Sequence, residues 1–539
     1  MCSTNTCKPS VQGVLKVRYN GPQMGVSMSV SFEQALAQLV ESGAAETVHQ
    51  SLRGLEKESL RVSPEGRIAQ TPHPKALGAA LTHPLITTDY SEAQLELITP
   101  TFDDLDQLLN FLTQLHRYVY RNLSGEILWV NSMPCLIEGE HRIPIAYYGE
   151  SLLGRLKHVY RQGLAHRYGK AMQTISGVHF NYSFTDLFWE RYAGPDQSLQ
   201  VAKNLGYFKI LRNFLRVNWW LVLMFGASPA VCNSFFQGRP HHLLVQDNHT
   251  VVGLHATSLR MGDLGYQNSR QKDLFICPNS LVEYANSLQH AMRLPDAEFE
   301  RIGLKYEGDY QQLSTHLLQI ENEYYGSMRP KRNAQSLKRP STALLEQGVE
   351  YLEVRLLDLD PFEPIGVSKD QLQIIELVLL YCFLAPSPPM TPAEFSQTRA
   401  RLQDVVSLGR DPEATLSFNG QTLTIHQQAN ALLMALDQVA DAIALPGWNE
   451  LKGRMQARLD NVELLPSARI LEQLRESQSS FFDWAMARAQ VVAEELDQPV
   501  CDDQLLAKFE QDAKDSVTKE QALPVEGDFG VFIERFLTA

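Results

Sequence analysis

Period-two alternation of apolar and polar residues recurs along this chain, and each alternating stretch predicts a β-strand with one packed and one wet face. In Arg53-Gly54-Leu55-Glu56-Lys57-Glu58-Ser59-Leu60-Arg61 it sets Glu56 and Glu58 on one face and Leu55, Lys57 and Ser59 on the other. Thr88 to Pro100 reads as a single strand, with Glu92, Gln94, Glu96 and Ile98 opposite Ala93, Leu95 and Leu97. Ile175 to Phe184 puts Val178, Phe180, Tyr182 and Phe184 against Gly177, His179, Asn181 and Ser183. Val349 to Pro361 groups Tyr351, Glu353, Arg355 and Leu357 opposite Leu352, Val354 and Leu356. Gln319 to Tyr325 alternates in the same way and runs into Arg329-Pro330-Lys331-Arg332, with Lys338-Arg339 close behind.

Helical spacing fills the intervals. Ser31 and Gln34 form a capping box for a helix through Val40, ended by Gly43. Leu105, Leu108, Leu109, Leu112 and Leu115 share a helical face, with Asp103, Asp104 and Asp106 at its positive end. Gly154 to Lys170 is a basic segment, helical in part, and Tyr207 to Phe225 reads as a largely buried helix. Beyond Pro361 the pattern is mainly helical (Gln371 to Leu384, Asn430 to Ala444, Ala468 to Leu496), with a proline-rich break at Ala385 to Pro389. Residues 1–28 have no periodicity, which predicts a disordered leader; a start at Met24 or Met28 would remove nothing structural. The expected organisation is therefore this leader, a core over 29–385 and a mainly helical supporting region over 386–539. Strands with one wet face belong to an antiparallel or mixed sheet, so the class is α+β.

Composition narrows the partners. A net charge of -14 over 539 residues argues against a nucleic-acid surface, since phosphate binding needs a concentrated basic field. Seven cysteines, odd in number and without a C-x-x-C pair, fit neither a disulfide framework nor a zinc site and suit the cytoplasm. The chain starts without an apolar signal core, and its longest uncharged apolar runs, Trp219 to Phe225 and Leu377 to Leu384, are too short to span a bilayer.

The wet faces carry Glu56, Glu58, Glu96, His179 and Glu353. Glu56 with Glu58, or Glu96, alone would read as a solvated strand face, His179 alone as a hydrogen-bonded structural residue, and Glu353 beside Arg355 as a simple ion pair. Their repetition points to a cluster that coordinates Mg²⁺ or Mn²⁺, magnesium preferring oxygen and the imidazole favouring manganese. The basic run offers forked and mobile donors for phosphate, or else is a solvated loop. Divalent ions beside Arg and Lys are the parts of a phosphoryl-transfer site. Neither G-x-x-x-x-G-K-[ST] nor G-x-G-x-x-G occurs, so ATP would be held by metals and basic side chains. In the loop Ala256 to Asn268, Arg260 and Tyr266 could hold a small zwitterion.

Five motifs carry a resemblance: Arg53 to Arg61, Met172 to His179, Ala256 to Arg260 with Asp263 to Tyr266, Arg329 to Arg332, and Glu350 to Arg355. In this order they closely resemble bacterial glutamate–cysteine ligases of the proteobacterial type, over roughly residues 31–500. The resemblance implies a glutamine synthetase-like fold, an antiparallel sheet curled into a funnel and backed by helices. It also implies ATP-dependent joining of the L-glutamate side chain to L-cysteine through a γ-glutamyl phosphate, the first step of glutathione synthesis. By position, Glu56, Glu58, Asp89, Glu96, His179 and Glu353 resemble the family's ligands for Mg²⁺ or Mn²⁺. Arg260, Tyr266 and Tyr325 resemble its amino-acid contacts, with Tyr160 and Arg161 near the cysteine pocket. Lys331, Arg332 and Arg355 would face phosphate, and Arg355, Glu353 and Arg260 would carry the catalysis. A cytoplasmic monomer without nucleic-acid or membrane partners completes the implied picture. The chain departs from the family in its long leader and in Tyr324, a second aromatic beside Tyr325, which leaves open which tyrosine meets substrate. A ligase for another amine, a metal-dependent phosphohydrolase and a catalytically silent metal-binding protein remain alternatives.

Overall fold

The alternating stretches meet in one antiparallel sheet. The computed structural model describes residues 30–538 except 266–268, 334–337 and 419–420, so the expected leader and Tyr266 lie outside the described residues. The strands in chain order are β1 Leu52–Val62, β2 Ile86–Thr88, β3 Gln94–Ile98, β4 Ile127–Leu128 and β5 Val178–Ser183. Next, β6 Ala230–Cys232, β7 Leu244–Val245 and β8 Thr250–Val252 form a separate small sheet, and β9 Lys305–Tyr306 pairs with β10 Asp309–Tyr310. Finally β11 Met328–Lys331 and β12 Tyr351–Leu357 return to the main sheet, whose order is β11-β12-β5-β1-β3-β2 with β4 added on β1. Every pairing within it is antiparallel.

The acid-bearing β1 is therefore a central strand and not a solvated edge. Its Leu55, with Val178, Phe180 and Tyr182 of β5 and Leu352 and Val354 of β12, packs into the main hydrophobic core. Helices Leu105–Arg121, Leu199–Phe225 and Lys369–Leu384 supply the other side of that core through residues such as Leu108, Leu112, Leu115, Phe214, Leu221, Ile375 and Leu379. The same core takes in Leu402, Leu433, Leu436, Met455 and Val492 from the helices that follow. The α+β class read from the alternation holds.

Local expectations needed correction in places. Thr88 to Pro100 is not one strand: a turn at Asp89–Ala93 separates β2 from β3. Ser91 closes it, its Oγ accepting from Ala93 N at 3.2 Å and its carbonyl from Gln94 N at 2.8 Å. Alternation could not reveal this turn, because Tyr90 and Ala93 are buried inside it. Gln319 to Tyr325 is likewise not a strand but a 3-10 turn over Glu321–Glu323, held by side-chain contacts to distant segments. The basic segment expected to be helical in part is the helix Leu152–Tyr168, capped by Ser151, followed by a short turn of helix at Lys170–Gln173. Ala468 to Leu496 is two helices, Pro466–Ser477 and Phe481–Leu496, parted at Gln478 with φ 53°. A hairpin at Thr415–Phe418 and Gln421–Thr424 had no counterpart in the sequence reading.

Candidate active site

Register determines which acids meet. Directly opposed residues of an antiparallel pair point to the same face. Glu56 is opposite His179, Glu58 opposite Glu96, Glu353 opposite Asn181, and Arg329 opposite Glu353. Four strands thereby deliver five acidic or imidazole groups to one side of the sheet. Glu56, Glu96 and His179 present ligand atoms within 4.8 Å of one another.

The environment separates these carboxylates. Burial pushes the Glu58 carboxyl up to about 8, with the charge of Asp89 adding to it. Burial, and then the charges of Glu56, Asp89 and Glu58, raise Glu96 well above the ordinary carboxylate range. Burial opposes ionisation of Glu353 too, but Arg355, Lys331 and Arg329 hold it well below that range. Arg355 Nη1 lies 2.9 Å and Lys331 Nζ 3.6 Å from Glu353 Oε1. Burial, then the charge of Arg355, lowers His179, so its imidazole is neutral. Its Nδ1 is 3.1 Å from Glu56 Oε2 and its Nε2 3.6 Å from Glu58 Oε1. A proton on Nδ1 gives Glu56 a hydrogen bond and turns the Nε2 lone pair towards Glu58; once Glu58 gives up its proton, imidazole and carboxylate face one another as two acceptors, an arrangement that a cation bridges.

Glu353 Oε2 and Asn181 Oδ1 are buried without a hydrogen-bond partner. Orphaned acceptors among mutually repelling carboxylates and a neutral imidazole fit a divalent-cation site, and the oxygen-rich donor set suits magnesium or manganese.

Beside this cluster opens a cavity of about 130 Å³, lined by Glu58, Asp89, Tyr160, Arg161, His179, Arg260, Tyr325 and Arg355 among the residues singled out in the sequence. Arg260 enters from the loop after β8. Its Nη2 donates to the Arg355 carbonyl at 2.9 Å, and Asp358 lies 3.9 Å from its Nη1. Gly177 makes room for it: a Cβ there would sit 2.1 Å from Arg260 Nη2. The Arg161 guanidinium lies 4.7 Å from the Tyr148 ring centre, and its Nε donates to the Asp89 carbonyl. Tyr325 Oη accepts from Gln173 Nε2 at 3.1 Å.

Arg332 does not join this group. Its Nε donates to the Gly348 carbonyl at 2.7 Å and its Nη2 to the Gln347 carbonyl at 2.6 Å, beyond the cavity wall. Arg329 takes that place instead and lines the cavity. The pleat explains the exchange, because in β11 Arg329 and Lys331 share a face and Arg332 follows the strand's end. Counting by two from Lys331 would have found it. Gln173, Asn322 and Glu323 also line the cavity; the first lies within the Met172–His179 motif and the other two within the alternating stretch Gln319–Tyr325, but nothing in those patterns distinguished them from their neighbours.

Known proteins resemble this chain in sequence and in fold. The family model described as glutamate–cysteine ligase matches residues 36–405. The glutamate–cysteine ligase of Alcanivorax borkumensis is 46% identical over 469 residues, 85% of this chain and 89% of the relative. That of Azotobacter vinelandii is 43% identical over 515 residues, covering 94% and 97%. The crystal structure of the Francisella tularensis glutamate–cysteine ligase in complex with AMP is similar at TM-score 0.86 and 35% identity, covering 91% of this chain and 98% of that one. By sequence and by fold, then, this chain belongs to the glutamate–cysteine ligase family.

Proposed function

We propose that the cavity between Glu58 and Tyr325 is the centre at which this chain performs its family's reaction. The side-chain carboxylate of L-glutamate is joined to the amine of L-cysteine, giving γ-glutamylcysteine, ADP and phosphate. This ATP-dependent carboxylate–amine ligation is the first step of glutathione biosynthesis. One observation carries the reading: the acidic cluster of β1, β3, β5 and β12 lies beside Arg355, Arg329 and Lys331, and the same cavity continues to Arg260, Tyr160 and Tyr325.

A carboxylate is a poor electrophile, so its oxygen first attacks the ATP γ-phosphorus, releasing ADP and forming γ-glutamyl phosphate. Mg²⁺ or Mn²⁺ held by Glu56, Glu58, Glu96, His179 and Glu353, with Asp89 alongside, would neutralise the polyphosphate and orient the transfer. Arg355 and Lys331, already paired with Glu353, offer the phosphoryl oxygens fixed positive charge. Arg260, pinned between the Arg355 carbonyl and Gly177, takes a substrate carboxylate through its fork. Tyr160, Arg161 and Tyr325 line the end where the second amino acid docks. Its neutral amine then attacks the acyl carbonyl, Arg355 and Arg329 stabilise the developing oxyanion, and phosphate leaves, taking up the proton that the amine loses.

The groups assigned these roles meet within a single chain, so the proposed reaction does not call for a second copy. The need for ATP and reduced L-cysteine supports the cytoplasm, and no helix of the described residues is long and apolar enough to cross a membrane. The test measures ADP release with Mg²⁺, ATP and L-glutamate, with and without L-cysteine, alongside mass detection of the dipeptide. Release requiring both amino acids and yielding γ-glutamylcysteine is the expected result. ATP consumption needing neither would replace this reading with a phosphohydrolase.

A further inference from the structure

Glu323 and Arg167 form an ion pair whose two side chains are both 0% exposed, with Arg167 Nη1 2.9 Å from Glu323 Oε1. The pair is fully satisfied. Tyr168 Oη donates to Glu323 Oε1 at 2.6 Å and Gln319 N to Oε2 at 2.7 Å. On the other side, Arg167 Nη2 donates to the Ser314 carbonyl at 2.6 Å, and the guanidinium lies 4.1 Å from the Phe299 ring centre.

The two partners belong to two different segments that line the cavity. Arg167 and Tyr168 end the helix Leu152–Tyr168, which carries Tyr160 and Arg161 two turns earlier. Glu323 closes the 3-10 turn that leads directly to Tyr325. Gln271 locks the short span between them, its Nε2 donating to the Glu323 carbonyl at 2.9 Å and its Oε1 accepting from Tyr325 N at 3.0 Å. The Tyr168 and Tyr325 rings meet edge to face at 6.3 Å. A buried ion pair is a weak source of stability, since apolar residues of the same volume hold two segments about as firmly. What it adds is direction: a forked donor and a carboxylate with both oxygens engaged allow one separation of helix and turn.

We propose that Arg167 and Glu323 are positioning residues that set the spacing of Tyr160 and Tyr325, and thereby the selection of the second amino acid. The inference rests on the reading of this cavity as the active centre. Neither residue touches reacting atoms. Their effect is transmitted through the two tyrosines.

The experiment compares steady-state kinetics of E323Q, Y168F and the paired neutral variant R167M/E323Q with the unaltered protein, using ATP, L-glutamate, L-cysteine and the isosteric amino acid with a methyl group in place of the thiol. Y168F removes only a hydroxyl and keeps the ion pair, so it provides a folded variant even if E323Q does not fold. The expected result is a rise of about tenfold in KM for L-cysteine in E323Q and about threefold in Y168F, with KM for ATP within about twofold and a reduced preference for the thiol over the methyl. R167M/E323Q should lose that preference too while unfolding at a similar denaturant concentration, which separates positioning from stability. An unchanged KM for L-cysteine in folded Y168F and R167M/E323Q would overturn the proposal, as would a parallel rise in every KM. Y325F distinguishes the two levels. If it raises KM for L-cysteine and the ion-pair variants do not, only this inference fails; if Y325F leaves it unchanged, the active-centre reading fails with it.

Discussion

Glu58 of β1 stands directly opposite Glu96 of β3 in the antiparallel ladder, so a buried and a half-buried carboxylate share a cross-strand site where sheets ordinarily avoid like charges. Burial raises both, with the charge of Asp89 adding to it at Glu58 and those of Glu56, Asp89 and Glu58 at Glu96, and nothing apolar about the site requires either one. Such a pair is retained at a cost to the metal-free fold.

That cost predicts a metal-linked stability. Adding Mg²⁺ or Mn²⁺ after chelation should raise the unfolding temperature by several degrees at saturating metal, as expected for a ligand that binds only the folded state. E96Q should remove most of that increment while making the metal-free protein more stable by about 0.5–1 kcal/mol, because a carboxyl that the site holds back from ionising is replaced by a neutral amide. Turnover should fall by at least about a hundredfold, the loss expected when charge stabilisation of several kcal/mol disappears. Differential scanning calorimetry with and without metal reads the first two effects. A metal increment of equal size in E96Q would remove Glu96 from the ligand set.

Gly177 and Arg260 give a second prediction. In G177A the new methyl would sit 2.1 Å from Arg260 Nη2, and the guanidinium, as the far end of a side chain, would move instead of the backbone. The protein should therefore fold with a stability change of less than about 1 kcal/mol. Its kcat/KM for L-glutamate should fall about tenfold to a hundredfold, since a small misplacement of a carboxylate clamp is enough for such a loss. Normal kinetics in a folded G177A would show that Arg260 does not hold substrate in its present position.

Much of this arrangement was legible in the sequence, for a simple reason. Strand faces follow period two, so Glu56 with Glu58, and Glu353 with Arg355, could be assigned to common faces before any pairing was known. Register was not legible, because it depends on which strands become neighbours; the contacts of Glu58 with Glu96 and of Glu56 with His179 are properties of the sheet. Long-range side-chain contacts hid the turn at Glu321–Glu323, where Glu321 accepts from Ser341 N at 2.7 Å and Glu323 meets Arg167. The ends of the first motif were equally opaque. Arg53 and Arg61 look like charged flanks of an acidic strand, yet both are buried in structural ion pairs with Glu376 and Glu126.

His83 links the fold to pH. Its Nδ1 accepts from the backbone N–H of Leu85 and Ile86 at 3.0 and 2.9 Å, which only the unprotonated nitrogen can do. Burial, opposed by the charge of Asp512 and aided by Lys508 and Lys519 on the adjacent helix, lowers its pKa from 6.5 to about 4. The folded state therefore binds this proton more weakly than the unfolded state. Its contribution to stability is complete above the unfolded value and is lost as pH falls from about 6.5 towards 4. Because other groups titrate in the same interval, the informative quantity is a difference. H83N, whose Oδ1 can accept the same two bonds, should show a shallower fall in urea midpoint over that interval than the unaltered protein. Parallel curves would mean that His83 is protonated equally in both states.

Arg53 and Glu376 give the last prediction, which separates what holds the sheet from what it does. Arg53 Nε and Nη2 reach the two Glu376 oxygens at 2.6 and 2.9 Å, tying β1 to the helix Lys369–Leu384. Arg53 Nη1 donates to the carbonyls of Ser51 and Asp103, both at 2.6 Å. Removing only the acid leaves a guanidinium buried and uncompensated, so E376A should lose about 3–5 kcal/mol of stability. Replacing both partners with apolar residues, as in R53M/E376M, removes the stranded charge and should recover much of that loss, although the two carbonyls freed by Arg53 keep it below the unaltered protein. Arg53 neighbours Gly54 and Leu55 on β1, yet its side chain leaves the sheet on the face away from Glu56. Turnover per folded molecule should thus stay within about threefold in R53M/E376M, measured at a temperature where both proteins are folded. A large fall in kcat at unchanged folded fraction would mean that this ion pair fixes the register of β1, and with it the opposition of Glu58 and Glu96.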